Sequence, residues 1–412
     1  METKINAAYN IPVKKINRWN VAIAGIVMQL CLGTVYGWSV FTKPLETVYN
    51  WSRTEVTLAF TIAIGFLGLA AVLGGAVLDR KGPKAVATLG AVLFGTGTIF
   101  TGIALKMGSL ALLYATYGVV CGLGIGFGYI TPISTLVKWF PDKRGLITGL
   151  SVMGFGAGAF LMTSFTPGLI NSFGISITFY LLGVVFFALT FASARLLDNP
   201  PEGFKPEGWQ PAGNGEKSGM TLAQAVRTRH FWFFWIILFL NVSAGIALIS
   251  QASPMVQETF KQTAAQAGFI IGIFSIFNGL GRLFWSAVSD YIGRRTVFIL
   301  FFATQAVVFL LMPYVGNLVV FVILSCYIYA CYGGGFSTMP AFSADTFGTR
   351  HIGSIYGWIL TAWSAAGIAG PILYSYIRQA SKSYSSALTI TGAALIAALA
   401  FPLLIGRKPD CK

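Results

Sequence analysis

Arg282 is the one charged side chain set deep inside a hydrophobic run of this 412-residue chain. Its surroundings, Ile276-Phe-Asn-Gly-Leu-Gly-Arg-Leu-Phe-Trp285, are apolar apart from Asn278. A cation at the middle of a bilayer costs roughly 2.5–3.5 kcal/mol even on the most lenient insertion scale. No Asp or Glu falls inside any other apolar run, so the sequence offers no permanent counter-ion. The arrangement suits a small organic anion, whose carboxylate would dock on the buried guanidinium in a charge-assisted contact. The alternative is a structural Arg satisfied by backbone carbonyls or tyrosines.

Other groups reach a similar depth. Arg282 is eight residues from Asp290, roughly 12 Å along a helix. Asn278 lies one turn further on the same face. Tyr129 sits nine residues before Lys138, and Phe336 follows it by 207 positions, with Tyr332 one turn away. Gln29 and Asn241 stand mid-depth in the first and seventh runs. Tyr36, Trp358 and Trp363 complete a candidate pocket of polar and aromatic side chains. Ordinary helix packing is the competing reading for the rings, and interhelical hydrogen bonding for Gln29 and Asn241.

Chemistry of other kinds finds little support. The two histidines, His230 and His351, fall at run ends, and no nucleophile–base pair or metal-ligand spacing occurs. Cofactors and metals are therefore not expected. Gly122-Leu-Gly-Ile-Gly-Phe-Gly128 and Gly154-Phe-Gly-Ala-Gly158 lie within apolar runs, where glycines serve close helix contact rather than phosphate binding. Four of five cysteines, Cys31, Cys121, Cys326 and Cys331, also lie in such runs and read as packing residues; Cys411 is the fifth.

The elements that position these residues follow from composition. Hydrophobic residues make up 55% of the chain and charged residues 10%, against about 25% charged in a soluble domain. Apolar runs long enough to cross a bilayer occur near 19–42, 55–78, 84–105, 109–137, 145–167 and 173–196. They resume near 231–256, 264–289, 296–313, 317–344, 352–377 and 384–406. The expectation is an all-α membrane protein of twelve transmembrane helices in two six-helix bundles. Residues 1–197 form the first bundle, 198–230 a linker and 231–412 the second. The linker is rich in Pro, Gly and charge, and Thr221 caps a short helix leading into the seventh span.

The net charge of +15 is a topology signal rather than a nucleic-acid footprint. Twenty-one of the 28 Lys and Arg residues lie on the side that carries both termini. By the positive-inside rule, that side is cytoplasmic. The chain is expected in the plasma (inner) membrane, in contact with lipid, working as a monomer and without nucleic acid.

An internal repeat divides the chain at the linker. Gly75-Ala-Val-Leu-Asp79-Arg80-Lys-Gly82-Pro-Lys84 is answered 211 residues later by Ser286-Ala-Val-Ser-Asp290-Tyr-Ile-Gly293-Arg294-Arg295. Phe140-Pro-Asp-Lys-Arg144-Gly is answered by Phe347-Gly-Thr-Arg350-His-Ile-Gly. Two related six-helix halves imply a transporter with its cargo site between them near the midplane.

The Asp79 segment resembles the signature loop of the major facilitator superfamily, departing from it at Pro83. Trp139-Phe-Pro-Asp-Lys-Arg-Gly145, Gly281-Arg282 with Ser289-Asp290, Tyr36-Gly-Trp38 and Tyr356-Gly-Trp358 resemble its oxalate/formate antiporter and monocarboxylate transporter branch. The resemblance implies that Asp79, Arg80, Asp290 and Arg294 gate the cytoplasmic side, Asp facing a helix N-terminus. In the oxalate exchanger pattern a second buried cation occurs where this chain has Trp363. A single cation points to a lactate- or pyruvate-like monocarboxylate. Mammalian relatives carry an Asp where this chain has Asn278, and typical sugar and drug transporters an Arg near Gly118. The expected activity is alternating-access transport of a small monocarboxylate with a co-transported proton. All 13 acidic residues stand at span ends, in loops or in tails, Glu55 and Asp345 being nearest the membrane. Carboxylate exchange is the alternative, and an anion channel a more distant one.

Overall fold

The structure, a computed structural model, describes residues 17–201, 203–206, 219–381 and 383–406. Much of the predicted linker, the first 16 residues and Cys411 lie outside them. Eleven described helices are long and apolar enough to cross a membrane. They are α1 Arg18–Gly37, α2 Thr54–Lys81, α3 Pro83–Lys106, α4 Leu110–Trp139, α5 Arg144–Phe173 and α6 Ile175–Leu196, then α7 Arg229–Phe260, α8 Ala264–Ile292, α9 Arg294–Tyr314, α10 Leu318–Phe347 and α12 Tyr384–Leu404. The remaining predicted span is divided at Leu360 into α11a, Ile352–Ile359, and α11b, Thr361–Ser381. It completes the twelve as a broken helix rather than a continuous one.

The repeat is visible in how helices begin. Ser52 and Glu55 form a capping box at α2; Thr263 and Gln266 form one at α8, displaced by the same 211 residues. Each box satisfies backbone donors that the first turn leaves open. Gly82 and Gly293, at φ 79° and 88°, make the turns into α3 and α9. Their left-handed backbone favours glycine. Thr221 and Gln224 box the predicted short helix Leu222–Val226.

Within the first half α1 packs on α5, α2 on α4 and α3 on α6; in the second, α7 packs on α11b, α8 on α10 and α9 on α12. Two seams join the halves, α2 with α11a and α5 with α8. Both seams need glycine. A Cβ at Gly75 would stand 2.1 Å from the Gly353 carbonyl oxygen, and one at Gly145 would stand 2.0 Å from that of Ser286. Further along, the halves part: a Cβ at Gly156 would sit 3.5 Å from Gly279 Cα, whereas one at Gly272 or Gly268 would meet nothing within 4 Å. The seams lie on the side of the repeated Asp loops, and among the described residues α8 makes no such close approach at Gly268 or Gly272.

Candidate functional site

At the level where the seams end, six aromatic rings meet between the halves. Phe155 of α5 touches Tyr36 of α1 and Tyr129 of α4 edge-on, each at 5.2 Å between centroids. Trp363 of α11b reaches both tyrosines, at 6.2 and 5.9 Å, and Phe336 of α10 at 5.1 Å. Tyr332, one turn earlier on α10, packs 5.3 Å from Phe336. Edge-to-face contacts of this kind add about 0.5–1.5 kcal/mol each beyond area burial. The rings come from five helices, and the contacts of Trp363 with Tyr36 and Tyr129 cross between the halves.

Arg282 borders this cluster. Its guanidinium lies 5.7 Å from the centre of the Phe336 ring. Nε donates to Asn278 Oδ1 at 3.2 Å and Nη1 to the Val152 carbonyl of α5 at 3.0 Å. Asn278 is itself held through Nδ2, which donates to the Tyr329 carbonyl at 3.3 Å. Arginine has five N–H donors; among the described residues two are engaged, and Nη2 has no partner. Arg282 is only 3% exposed, and no Asp, Glu or Lys among the described residues is buried. The site is a cation with spare donors in an aromatic surround.

The other predicted residues lie elsewhere. Gln29 and Asn241 are fully buried and tie helices within each half: Gln29 Nε2 donates to the Tyr129 carbonyl at 3.1 Å, and Asn241 Nδ2 to that of Cys331 at 3.4 Å. Trp358 is 46% exposed and makes none of the cluster's ring contacts. It stands on the other side of the break at Leu360 from Trp363. Phe155 is the residue that sequence reasoning missed. It lies in the Gly154–Gly158 stretch read as helix packing, and only its contacts with two tyrosines reveal its place.

The Asp loops take up helix N-termini across the seams. Asp79 accepts from the backbone nitrogens of Gly353 at 3.2 Å and Ser354 at 2.8 Å, and from Ser354 Oγ at 2.6 Å. Asp290 accepts from the backbone nitrogens of Gly145 and Leu146, both at 2.9 Å. Each carboxylate thus meets the positive end of a helix in the other half. The second loop has more ionic support. Arg294 pairs with Asp290 and with Asp345 at 3.1 Å, and Arg144 pairs with Asp345 at 2.7 Å. Arg80 has no such partner among the described residues.

Two halves of six helices, latched at one face and enclosing a central site, define a transporter-type membrane fold. The chain belongs to the major facilitator superfamily: its model matches residues 21–261 and 242–411. Membership places it among integral membrane transporters rather than enzymes. The chain is 28% identical over 357 residues to an oxalate:formate antiporter of Oxalobacter formigenes, covering 86% of this chain and 83% of the relative. It is 22% identical over 471 residues to monocarboxylate transporter 14 of Mus musculus, covering 94% and 89%. The solved structure of FucP in the outward conformation matches with a TM-score of 0.76 at 14% identity, over 94% of this chain and 98% of that one. That likeness bears on the fold alone. The resemblance to the oxalate/formate and monocarboxylate branch is thereby shown.

Proposed function

We propose that this chain carries small monocarboxylates of the lactate or pyruvate type across the plasma membrane by alternating access, with a proton as co-substrate. The observation that carries the reading is Arg282, a buried cation that among the described residues has Nη2 unengaged and no carboxylate beside it. A substrate carboxylate would take the free donors. Asn278 holds the guanidinium in place, the hydroxyls of Tyr36, Tyr129 and Tyr332 read an oxygen on C2, and Phe336 and Trp363 wall the short carbon tail. Trp363 fills the space that a second carboxylate would need. Residues 1–197 and 231–412 are the rocking units of a monomer, and the Asp79 and Asp290 seams form a cytoplasmic gate on the side of both termini.

The substrate carboxylate, held beside Arg282, is the proposed proton carrier, since among the described residues no Asp or Glu is buried. Exchange is the second reading, favoured by the likeness to an oxalate:formate antiporter. Purified protein in liposomes separates them. Influx of labelled lactate driven only by an inward proton gradient supports symport; influx that requires internal carboxylate supports exchange. In either case Arg282→Ala and Arg282→Lys abolish specific uptake, and normal uptake by either variant refutes the site.

A further inference from the structure

The two seams that close the latch side are related by the repeat but are not equivalent. In the α2–α11 seam the contacts are Asp79 with Gly353 and Ser354, then Ala71 against Gly357, then Gly68 against Ser364. In the α5–α8 seam they are Asp290 with Gly145 and Leu146, then Ser286 Oγ donating to the Gly145 carbonyl at 2.6 Å, then Gly149 against the Arg282 backbone. The repeat offset of 211 pairs Ala71 with Arg282. Where the first seam has a methyl group, the second has the guanidinium, and its Nη1 donates across the seam to the Val152 carbonyl of α5. Beyond it, a Cβ at Gly156 of α5 would stand 3.5 Å from Gly279 Cα of α8.

We infer that the α5–α8 seam is the substrate-sensing one, released when a bound carboxylate draws Arg282 Nη1 from the Val152 carbonyl, while the α2–α11 seam is a passive second latch. This rests on the proposed docking of carboxylate on Arg282. Nη1 has a carbonyl acceptor in the opposite half, so the cation that would bind substrate also fastens the halves together. A carboxylate is a stronger acceptor than a neutral carbonyl because the bond is charged on both sides. A carboxylate that bridges Nη2 and Nη1 competes directly with the Val152 oxygen for Nη1. Val152 and Phe155 belong to the same turn of α5, and Phe155 holds Tyr36 and Tyr129. Movement of that turn therefore also reaches the rings around the substrate. The α2–α11 seam has no charged side chain at the matching level and can respond only after its partner seam has moved.

The test measures each seam separately. Spin labels are placed on cysteines at Lys143 and Tyr291 for the α5–α8 seam, and at Lys81 and Arg350 for the α2–α11 seam. These four residues are exposed, and the native cysteines are replaced by serine. The probe is whichever of formate, acetate, L-lactate, pyruvate and oxalate binds full-length protein most tightly in calorimetry. At saturation the open-to-closed ratio across α5–α8 is expected to rise about ten- to a hundredfold, the worth of one charge-assisted hydrogen bond. Two glycine variants supply the control. Gly149→Ala places a Cβ 2.9 Å from the Arg282 carbonyl oxygen, and Gly357→Ala places one 2.6 Å from that of Ala71. Gly149→Ala should open its seam without ligand and lose most of the ligand-driven increment. Gly357→Ala should raise basal opening of its own seam and keep the increment across α5–α8. Binding without a change across α5–α8, or an equal loss of increment in both variants, overturns the inference and leaves the docking site standing. Absence of binding by every anion instead overturns the proposed function beneath it.

Discussion

Replacing Asp79 with Asn isolates the contribution of one latch carboxylate. Asp79 accepts three hydrogen bonds from the start of α11a, two from backbone nitrogens and one from Ser354 Oγ. The amide in the Asp79→Asn variant would keep one acceptor oxygen and turn an NH2 group toward donors. The loss is at least one hydrogen bond to a charged group, about 1.5–3 kcal/mol. The favourable placement of negative charge at a helix N-terminus goes with it, about 0.3–1 kcal/mol. Together these come to about 2–4 kcal/mol, a fall of about 30- to 700-fold in the closed-to-open ratio of the latch side. Spin labels at Lys81 and Arg350 should show the longer distance becoming a major population without added ligand. Ser354→Ala removes only the hydroxyl bond to the carboxylate, about 1.5–3 kcal/mol, and should shift the ratio less than Asp79→Asn does. A folded Asp79→Asn protein with an unchanged distance distribution refutes the view that this carboxylate holds the seam.

Arg282→Leu should leave the ligand-free melting temperature within a few degrees of wild type. The two hydrogen bonds lost are offset by roughly 2.5–3.5 kcal/mol of charge burial that is no longer needed. The same variant should lose stabilisation by saturating lactate or pyruvate, which in wild type reaches about 2.7 kcal/mol at a hundredfold excess over Kd; a retained shift would count against the site. Trp363→Ala removes ring contacts with Tyr36, Tyr129 and Phe336. It should raise KM for lactate and let bulkier acids such as benzoate compete for uptake, and unchanged competition by benzoate would contradict the wall assignment. Gly75→Val cannot be accommodated against the Gly353 carbonyl. It should hold the latch side open and stop net uptake while the protein remains monodisperse in detergent; transport at the wild-type rate would contradict the closed seam.

Much of this fold is written in hydropathy. Eleven predicted spans are matched by described helices because a bilayer demands long, internally hydrogen-bonded apolar segments. The break at Leu360 was not legible, since Trp358-Ile-Leu-Thr361 contains neither Gly nor Pro to announce it. The Asp79 and Asp290 contacts were legible because a carboxylate after a span has few better partners than a helix N-terminus. The rings of Tyr129, Tyr332 and Phe336 could be gathered by counting depth, since rise per residue is fixed, whereas Tyr36 and Trp363 entered through the family resemblance. Rotation was harder to read. Depth counting put Gln29 and Asn241 at mid-span, but both face neighbouring helices in their own half, and Trp358, named from the resemblance, is half exposed. The hydrogen bond from Arg282 to the Val152 carbonyl had no sequence signal, because a backbone acceptor is offered equally by every residue.

The most direct test of the anion site is an experimental structure of the full chain with a bound short monocarboxylate marked by a heavy atom, 2-bromopropanoate. The prediction is a carboxylate within hydrogen-bond distance of Arg282 Nη2, with the bromine among Tyr332, Phe336 and Trp363. A bound anion elsewhere, with the guanidinium still shared between Asn278 and the Val152 carbonyl, would contradict it.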